Sequence, residues 1–265
     1  MDTFNSLPGD LPGPVCQKCL NKGRVMWLED GYKVIRECDC MASRKSVDRM
    51  RKSGLGELLD RCTFEAYQVR FPWQQAAKKL ALDYAANPTG RWFVASGCSG
   101  SGKTHLCTAI CKRLLEAGLE TRYMLWVDES RRLKALSTDD TSYQRMMHPL
   151  KTVKVLYIDD LFKPRTEEDK YTGKRFRVTA TAADIALAYE ILNTRIISKR
   201  ITVISTELSL EDIMRMDTAL GSRMYQASKG CYLYLTGDKN WRTMEPELQQ
   251  TFYALPEDAK TPWDN

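Results

Sequence analysis

Short runs of β-branched and aromatic residues alternate with longer segments of helical periodicity from residue 91 to residue 236. This alternation is typical of parallel strands, because each strand must be joined to the next by a crossover, usually a helix. The pattern predicts strands over residues 91–96, 121–127, 154–159, 201–206 and 231–236. It predicts helices over residues 103–117, 129–136, 182–198 and 210–228. We therefore expect an α/β fold in which helices flank a five-stranded parallel sheet.

Two further segments border this pattern. Apolar positions recur at helical spacing over residues 71–86, and Asn87, Pro88 and Gly90 then supply the turn chemistry that ends a helix. Residues 163–181 are polar and basic, and they are too many for a simple connection, so we expect a mobile functional loop there. This loop contains Lys170, Lys174, Arg175 and Arg177, with the aromatic residues Tyr171 and Phe176 among them.

The composition changes along the chain and predicts its division into modules. Residues 1–14 are rich in proline and glycine and lack periodicity, which favours a flexible leader. A cysteine-bearing module follows over residues 15–42, and the basic residues 43–70 are expected to form a linker and a helix. The predicted sheet belongs to a core over residues 71–245, and residues 246–265 form a C-terminal tail.

The overall composition narrows the class of protein. The chain has 265 residues, a formal net charge of +6 and a pI near 8.8. A chain of this length buries one sizeable core and leaves room for a small accessory module. The basic balance favours an acidic partner such as nucleic acid. The sequence contains neither an apolar run of membrane-spanning length nor a signal peptide, so we expect a cytoplasmic protein without membrane contact.

A phosphate-binding pattern, G-x-x-x-x-G-K-[ST], is matched by Gly97-Cys98-Ser99-Gly100-Ser101-Gly102-Lys103-Thr104. A predicted strand before it and a predicted helix after it give the context that the pattern requires. The glycines let the backbone bend so that N–H groups and a helix N-terminus converge on a β-phosphate. Lys103 would neutralise β- and γ-phosphate oxygens, and Thr104 would place its hydroxyl on Mg²⁺. We expect this loop and the adjoining His105 to bind a nucleoside triphosphate, although a plain glycine-rich turn is the alternative.

Two adjacent carboxylates, Asp159 and Asp160, follow the apolar run 155–158. Beside a phosphate loop, Asp159 would hold Mg²⁺ together with Thr104, and Asp160 would orient or deprotonate the attacking water. In isolation, the same pair fits an ordinary turn at the end of a strand. Together with the phosphate loop it predicts ATP hydrolysis, in which Lys103, Asp159 and Asp160 are catalytic.

The nine cysteines raise a separate question of metal binding. Four of them form two close pairs, C-x-x-C and C-x-C, and these are Cys16, Cys19, Cys38 and Cys40. Two pairs of thiolates suit tetrahedral Zn²⁺, although the second spacer is shorter than usual. Disulfides are rare in the cytoplasm, so the interpretations are a structural zinc site, which we expect, or incidental thiols. The other five are expected to serve in packing, and these are Cys62, Cys98, Cys107, Cys111 and Cys231.

Taken together, these motifs resemble the bacterial helicase loaders of the DnaC/DnaI type, which are AAA+ ATPases related to the IstB transposition helpers. The resemblance also covers Leu59-Asp60-Arg61-Cys62-Thr63-Phe64-Glu65-Ala66-Tyr67 and Gly221-Ser222-Arg223. The stretch Ile204-Ser205-Thr206-Glu207-Leu208-Ser209 is similar to phage or prophage versions. The resemblance implies an AAA+ core with an absent or reduced lid domain, and ATP with Mg²⁺ as ligands. The implied partners are a replicative DnaB-type helicase and single-stranded DNA.

The same resemblance implies roles for residues outside the phosphate loop. Arg223 would be the finger that reaches the ATP of a neighbouring subunit, so hydrolysis would require self-association. Glu207 stands where the family usually has an asparagine that senses the γ-phosphate. Either a sensing role beside Thr206 or a simple helix cap would explain Glu207. Trp241 and Arg242 would form a remnant of the second sensor region.

Three other functions each fit part of the pattern. An IstB-like transposition helper would share the core but act on double-stranded DNA with a transposase, and the cysteine module favours the loader instead. A small-molecule kinase would use the same phosphate loop, but the paired acids Asp159 and Asp160 and the finger-like Arg223 argue against it. A kinase also needs an acceptor pocket, and the sequence shows no group of residues that would form one. A zinc protein would hold the nucleotide only as a structural ligand. We expect an ATP-hydrolysing helicase loader.

Overall fold

The computed structural model describes residues 2–13, 15–50, 56–88, 90–168, 175–236, 239 and 241. A β-hairpin and short helices make up its N-terminal part. In chain order these elements are α1 (Asp2–Ser6), β1 (Arg24–Glu29), β2 (Tyr32–Glu37), α2 (Cys40–Met50) and α3 (Gly56–Arg61). Strands β1 and β2 pair antiparallel and are joined by Asp30 and Gly31. Both joining residues have positive φ, which is the geometry of a two-residue hairpin turn.

The rest of the described chain alternates strands with helices. These elements are α4 (Pro72–Ala86), β3 (Trp92–Gly97), α5 (Lys103–Glu116), β4 (Thr121–Leu125), α6 (Trp126–Ala135), α7 (Asp140–Thr152), β5 (Val155–Leu161), β6 (Arg165–Glu168), β7 (Arg175–Val178), α8 (Ala182–Ile197), β8 (Ile201–Thr206), α9 (Leu210–Met216), α10 (Thr218–Ala227) and β9 (Tyr232–Leu235). Five strands form one parallel sheet in the order β4-β5-β8-β3-β9. The predicted α/β fold with a five-stranded parallel sheet is confirmed.

Helices cover both faces of this sheet. Phe93 and Ala95 face a cluster that includes α4 and α5, whereas Trp92 and Val94 face a cluster built with α6 to α10. The residues alternate because successive side chains of a strand point to opposite faces. Burial on both faces explains why the run 155–158 is apolar at every position. None of the described helices is both long and apolar enough to cross a membrane.

The structure differs from the predicted core elements in three notable ways. The strand predicted over residues 121–127 ends at Leu125, because Trp126 begins α6 and is buried against the sheet. Helix α7 was not predicted, since Pro149 lies inside it and proline disfavours helix interiors. The helix predicted over residues 210–228 is divided at Asp217, which has extended backbone angles. The carboxylate of Asp217 accepts a hydrogen bond from the Leu220 amide (2.7 Å) and thereby caps α10.

The segment predicted as a loop over residues 163–181 contains paired strands. β6 and β7 run antiparallel, with Arg165 opposite Val178 and Glu168 opposite Arg175. The loop prediction was therefore wrong for these residues, because their backbone polar groups are satisfied by a ladder. Lys170, Tyr171 and Lys174 lie outside the described residues. We refer to β6 and β7 together as the β6–β7 hairpin.

The N-terminal residues make hydrogen bonds to the β1–β2 hairpin region. The Asn5 side chain donates to the Met26 carbonyl (3.1 Å) and accepts from the Met26 amide (3.0 Å). The Gly9 amide donates to the Leu20 carbonyl at 2.6 Å. Helix α1 thus contacts β1 through Asn5, and the division of the chain into a flexible leader and further modules stays a prediction.

Candidate functional site

The predicted phosphate loop lies at the carboxyl end of β3, where parallel sheets commonly hold ligands. Gly97, Gly100 and Gly102 all have positive φ, between 77° and 117°. At Gly97, an added Cβ would lie 1.8 Å from the carbonyl oxygen of Leu235 on β9. Only glycine fits there, because both the dihedral angle and the space exclude a side chain. The loop then enters α5 at Lys103, so the N-terminus of this helix points at the loop.

Lys103 is buried beneath the loop that precedes it. Its ammonium donates to the carbonyl oxygens of Gly97 (2.9 Å) and Cys98 (2.6 Å). Burial lowers the pKa of Lys103, and the Glu207 carboxylate is the largest of the charges that oppose this effect. The loop is also held by Ser101, whose hydroxyl donates to the Cys98 carbonyl at 2.8 Å. The structure thus places a cation inside the curve of the predicted phosphate loop.

Asp159 is a buried carboxylate that receives several hydroxyl hydrogen bonds. The Thr104 hydroxyl donates to it at 3.2 Å, which joins the two predicted magnesium ligands. The other donors are the hydroxyls of Tyr157 (2.8 Å), Tyr123 (3.1 Å) and Ser205. Burial raises the pKa of both tyrosines, so their hydroxyls stay protonated and able to donate. Carboxylate and hydroxyl oxygens suit Mg²⁺, so Asp159 and Thr104 fit that ion.

Asp160 follows directly but has a different environment. Its φ is 58°, and the pairing of β5 with β8 shifts register between Ile158 and Leu161. Its amide donates to the Ser205 hydroxyl (3.0 Å), and its carboxylate accepts from Lys163 (2.6 Å). The bulge therefore separates the two acids: Asp159 points into the hydroxyl cluster, whereas Asp160 pairs with a lysine.

Glu207 lies at the carboxyl end of β8, facing the charged groups of the site. For Lys103, burial has the largest effect on the pKa and lowers it, while the charge of Glu207 raises it. For Lys163, the hydrogen bond to Asp160 raises the pKa most, and the charge of Glu207 raises it further. The proposed alternative, a helix cap, is wrong, since the cap of α9 is Ser209 in a capping box with Asp212. Thr206 is buried between strand ends, with its hydroxyl donating to the Leu161 carbonyl at 2.8 Å.

Arg223 lies on α10, and its described contacts are with α8. Its guanidinium donates to the Asn193 side chain and lies 5.1 Å from the centre of the Tyr189 ring. A finger acting on a neighbouring subunit does not need to contact its own phosphate loop. The position of Arg223 therefore leaves that role as a prediction.

The segment before α4 packs onto the phosphate loop. The His105 ring nitrogen Nε2 lies 2.8 Å from the Thr63 carbonyl, and the Tyr67 ring meets His105 edge-on at 5.2 Å. Tyr67 also lies against Gly102, where an added Cβ would be 3.1 Å from its ring. Its buried hydroxyl has no hydrogen-bond partner among the described residues. This segment forms a wall of the candidate nucleotide site.

The C-terminal segment reaches the same loop. The Trp241 amide donates to the Gly100 carbonyl at 3.1 Å. The Trp241 ring packs edge-on against Phe71 (6.1 Å) and under the Arg70 guanidinium (4.7 Å). Arg242, predicted with Trp241 as a sensor remnant, lies outside the described residues.

Four contributors to the site were not predicted, namely Tyr123, Tyr157, Lys163 and Ser205. Tyr157 could have been found, because it precedes Asp159 by two positions and must share its face of β5. Tyr123 and Ser205 come from β4 and β8, and only the register places them beside β5. Lys163 depends on the turn after β5, which the loop prediction missed.

The four cysteines of the N-terminal pairs converge. Their sulfur atoms all lie within 4.8 Å of one another, with Cys16 to Cys38 at 3.8 Å and Cys19 to Cys40 at 3.6 Å. A tetrahedral zinc with Zn–S distances of about 2.3 Å requires sulfur separations of about 3.8 Å. The cluster therefore fits Zn²⁺. We call residues 15–42 the four-cysteine module. Of the remaining cysteines, four are buried in the core and Cys98 is partly exposed.

The fold and the site together define the class of protein to which this chain belongs. A parallel sheet that carries a phosphate loop after β3 and paired acids at the end of β5, with one strand between the two, is the core of a P-loop ATP-binding protein of the AAA+ type. A family model described as IstB-like ATP binding protein matches residues 31–222. The chain belongs to this family.

Individual relatives agree with this assignment. The chain is 27% identical over 231 residues to the Phage-like element PBSX protein XkdC of Bacillus subtilis (strain 168), covering 84% of this chain and 82% of the relative. It is 28% identical over 192 residues to the Replicative helicase loader DnaC of Escherichia coli (strain K12), covering 71% and 70%. A crystal structure of DnaI superposes with a TM-score of 0.52 at 18% identity, covering 68% of this chain and 92% of that one. At that identity, the superposition supports the fold alone.

Proposed function

We propose that this protein binds and hydrolyses ATP in order to deliver a replicative DnaB-type hexameric helicase onto single-stranded DNA. The observation that carries the hydrolytic part is the convergence of Lys103, Thr104, Asp159 and Asp160 at one edge of the sheet. The similarity to a protein named as a replicative helicase loader supports the loading part. The four-cysteine module supports it further, since it supplies a second surface beside the ATPase core.

Each of these residues would have its own role in ATP hydrolysis. The loop amides and Lys103 bind the β- and γ-phosphates, while Thr104 and Asp159 hold Mg²⁺, which offsets charge on those phosphates. Asp160 accepts a proton from the attacking water, whose oxygen bonds to the γ-phosphorus. The bond from that phosphorus to the β–γ bridging oxygen breaks, which leaves ADP and phosphate. Arg223 of one subunit would stabilise the charge that develops at the site of the next, so turnover requires self-association.

Each module would contact a different macromolecule. Exposed apolar side chains lie on both faces of the β1–β2 hairpin, including Trp27 and Leu28, and these would contact the helicase. Strand β7 carries Arg175, Phe176 and Arg177, and alternating cations and aromatic rings suit a nucleic-acid strand. We propose that binding and hydrolysis of the nucleotide determine when the protein holds the helicase and the DNA and when it releases them.

The first experiment asks which partner the full chain selects. The tagged protein is mixed with the replicative helicase of its host, and with a transposase from an associated element, in the presence of a non-hydrolysable ATP analogue. The loader function predicts a stable complex with the helicase and transfer of the helicase onto circular single-stranded DNA. Capture of the transposase alone, with ATP turnover stimulated only by double-stranded DNA, would support the IstB-like transposition helper instead.

A further inference from the structure

The hydroxyl of Tyr67 differs from those of the other tyrosines that the core buries. Tyr67 is 6% exposed, and its hydroxyl has no hydrogen-bond partner in the part of the chain that the structure describes. The hydroxyls of Tyr84, Tyr123 and Tyr157 each donate to an oxygen of the core at 2.7 to 3.1 Å. A buried hydroxyl without a partner destabilises a fold, because it has lost its hydrogen bonds to water. Since phenylalanine would pack as well, the hydroxyl of Tyr67 needs another explanation.

This hydroxyl lies at the start of α5, beside the phosphate loop. A Cβ added to Gly102 would be 3.1 Å from the Tyr67 ring and 3.3 Å from its hydroxyl oxygen. Gly102 is the N-cap residue of α5, and the first amides of a helix, here from Lys103 to His105, have no acceptor within the helix. Amides in this position bind phosphate oxygens. The Tyr67 hydroxyl and these amides therefore lie at the same end of α5.

The segment that carries Tyr67 is held in place by its own hydrogen bonds and by α5. The Tyr67 amide donates to the Thr63 carbonyl (3.1 Å), and the Ala66 amide donates to the Thr63 hydroxyl (3.1 Å). The Thr63 carbonyl also lies 2.8 Å from the ring nitrogen Nε2 of His105, whose ring meets Tyr67 edge-on. Tyr67 is thus fixed relative to the first turn of α5. A donor that is already in place loses little conformational freedom when it binds a ligand.

The chemistry of the hydroxyl suits a phosphate oxygen. Burial raises the pKa of Tyr67, so the hydroxyl stays protonated at neutral pH and is able to donate. A hydrogen bond from a hydroxyl to a charged oxygen is roughly twice as strong as one between neutral groups. In the proposed binding mode, Lys103 serves the β- and γ-phosphates, and Thr104 and Asp159 hold the Mg²⁺ that offsets charge on the same two groups. None of these three residues serves the α-phosphate.

We propose that the Tyr67 hydroxyl donates a hydrogen bond to the α-phosphate of the bound nucleotide, and that it contributes equally to the affinity for ATP and for ADP. This inference deepens the proposed function and rests only on its nucleotide-binding part, not on hydrolysis or helicase loading. It makes Tyr67 a binding residue that lies outside the phosphate-loop motif. The hydroxyl should reduce stability in the free protein and increase affinity for the nucleotide.

The test replaces Tyr67 or Tyr84 by phenylalanine in the full chain, because each change removes one buried hydroxyl and keeps the ring. Tyr67→Phe should lower the affinity for ATP and for ADP by the same factor of about tenfold or more, as expected for the loss of a hydrogen bond to a charged group. The same loss should occur with 2′-deoxy-ATP, which keeps the α-phosphate. Tyr84→Phe should leave all three affinities unchanged, because the Tyr84 hydroxyl donates to the Arg91 carbonyl.

Chemical denaturation gives a second readout that does not depend on turnover. Without nucleotide, Tyr67→Phe should unfold at the same denaturant concentration as the wild type or at a higher one. Tyr84→Phe should unfold at a lower concentration, because it leaves a carbonyl without its donor. At a fixed concentration of ADP, the nucleotide should raise the unfolding midpoint of Tyr67→Phe less than that of the wild type.

The outcomes separate this inference from the proposed function. Equal affinities of the wild type and Tyr67→Phe for ATP would overturn the inference and leave the proposed function standing. A loss of affinity for ATP but not for ADP would assign the hydroxyl to the γ-phosphate, and a loss that disappears with 2′-deoxy-ATP would assign it to the ribose. Either result would overturn the assignment to the α-phosphate, as would lower stability of nucleotide-free Tyr67→Phe. The proposed function fails separately if the wild type binds ATP but does not hydrolyse it.

Discussion

The four-cysteine module and the core that carries the five-stranded sheet hold their structures by different means. In the module, the buried apolar cluster consists of Cys19, Val25 and Cys38, and its thiols converge as a metal site would require. In the core, two clusters of buried side chains fill both faces of a five-stranded sheet. A region with so little buried apolar surface needs a metal or a similar staple, whereas the core does not.

The two regions also differ in the groups that they could offer a ligand. The module exposes large apolar side chains, with Trp27 49% and Tyr32 77% exposed. The core gathers charged groups at the end of its sheet, namely the buried Lys103 and the partly buried Asp160 and Glu207. We infer that the four-cysteine module is suited to protein contact and the core to nucleotide chemistry. Changes that damage one region should leave the other working.

The largest expected effect comes from removing a thiolate. Cys19→Ser should abolish zinc binding and unfold the module, because the free energy of binding zinc at such sites is on the order of 10 kcal/mol or more and is coupled to folding. ATP binding by the core should persist. Three measurements follow these consequences: metal content, amide exchange over residues 24–37, and binding of a fluorescent ATP analogue. The control Cys231→Ala changes a cysteine of the core and should retain zinc. If Cys19→Ser lost zinc and ATP binding together, the module and the core would not be independent.

The next largest effect concerns the core alone. Arg195 is fully buried, and its guanidinium donates to the carbonyls of Leu150 (2.9 Å), Val153 (3.0 Å) and Ile201 (2.5 Å). Burial lowers its pKa to about 9, helped by the nearby Arg200, so it stays charged at neutral pH. Arg195→Met should leave these carbonyls unpaired and destabilise the core by about 2–5 kcal/mol.

Chemical denaturation of zinc-loaded protein measures this change. Arg131→Met is the matched control, because Arg131 is exposed and its pair with Asp128 is worth about 0.3–0.5 kcal/mol. Zinc content should be unchanged in both variants. Equal stability of the two variants would show that the buried guanidinium does not hold α8 to the strands.

A smaller, pH-dependent effect is expected at the start of α8. Burial alone would raise the pKa of Asp184, but hydrogen bonds from Lys134 (2.6 Å) and Thr181 (2.7 Å) outweigh burial and lower this pKa. A carboxylate with a lowered pKa stabilises the fold above its unfolded pKa of about 3.9, and this contribution is lost as the pH falls below that value. Asp184→Asn should cost about 1–2 kcal/mol at pH 7. The difference between variant and wild type should shrink in acid melts, and a constant difference would contradict this assignment.

The smallest effect on stability should come from the exposed face of the module. Trp27→Ser should change the unfolding free energy by about 0.5 kcal/mol or less, as is usual for surface positions. Its affinity for the helicase should nevertheless fall by about tenfold or more, because exposed tryptophans are common anchors of interfaces. Ile197→Ser is the control, since Ile197 is 74% exposed on the core. Equal helicase affinity for both variants would place the contact elsewhere.

Features formed by one short stretch of chain could be predicted from the sequence, whereas features that depend on how distant strands pair could not. The phosphate loop and the cysteine pairs are short stretches whose residue types follow directly from chemistry, so their positions were predictable. Ser205 and Tyr123 reach Asp159 from other strands, and that meeting depends on register. Helix α7 was hidden by Pro149, and the β6–β7 hairpin was hidden by polar composition. Glu207 was open to two interpretations until Ser209 was seen to cap α9.

ATP turnover by Asp160→Asn, with ATP affinity measured on the same preparation, shows whether Asp160 activates the attacking water. The affinity for ATP should stay within a few-fold of wild type, because Lys103, Thr104 and Asp159 are untouched. Turnover should fall by about 10²–10⁴-fold, the usual contribution of a positioned general base. Turnover equal to that of the wild type would contradict the role given to Asp160 and the account of this site as an ATPase centre.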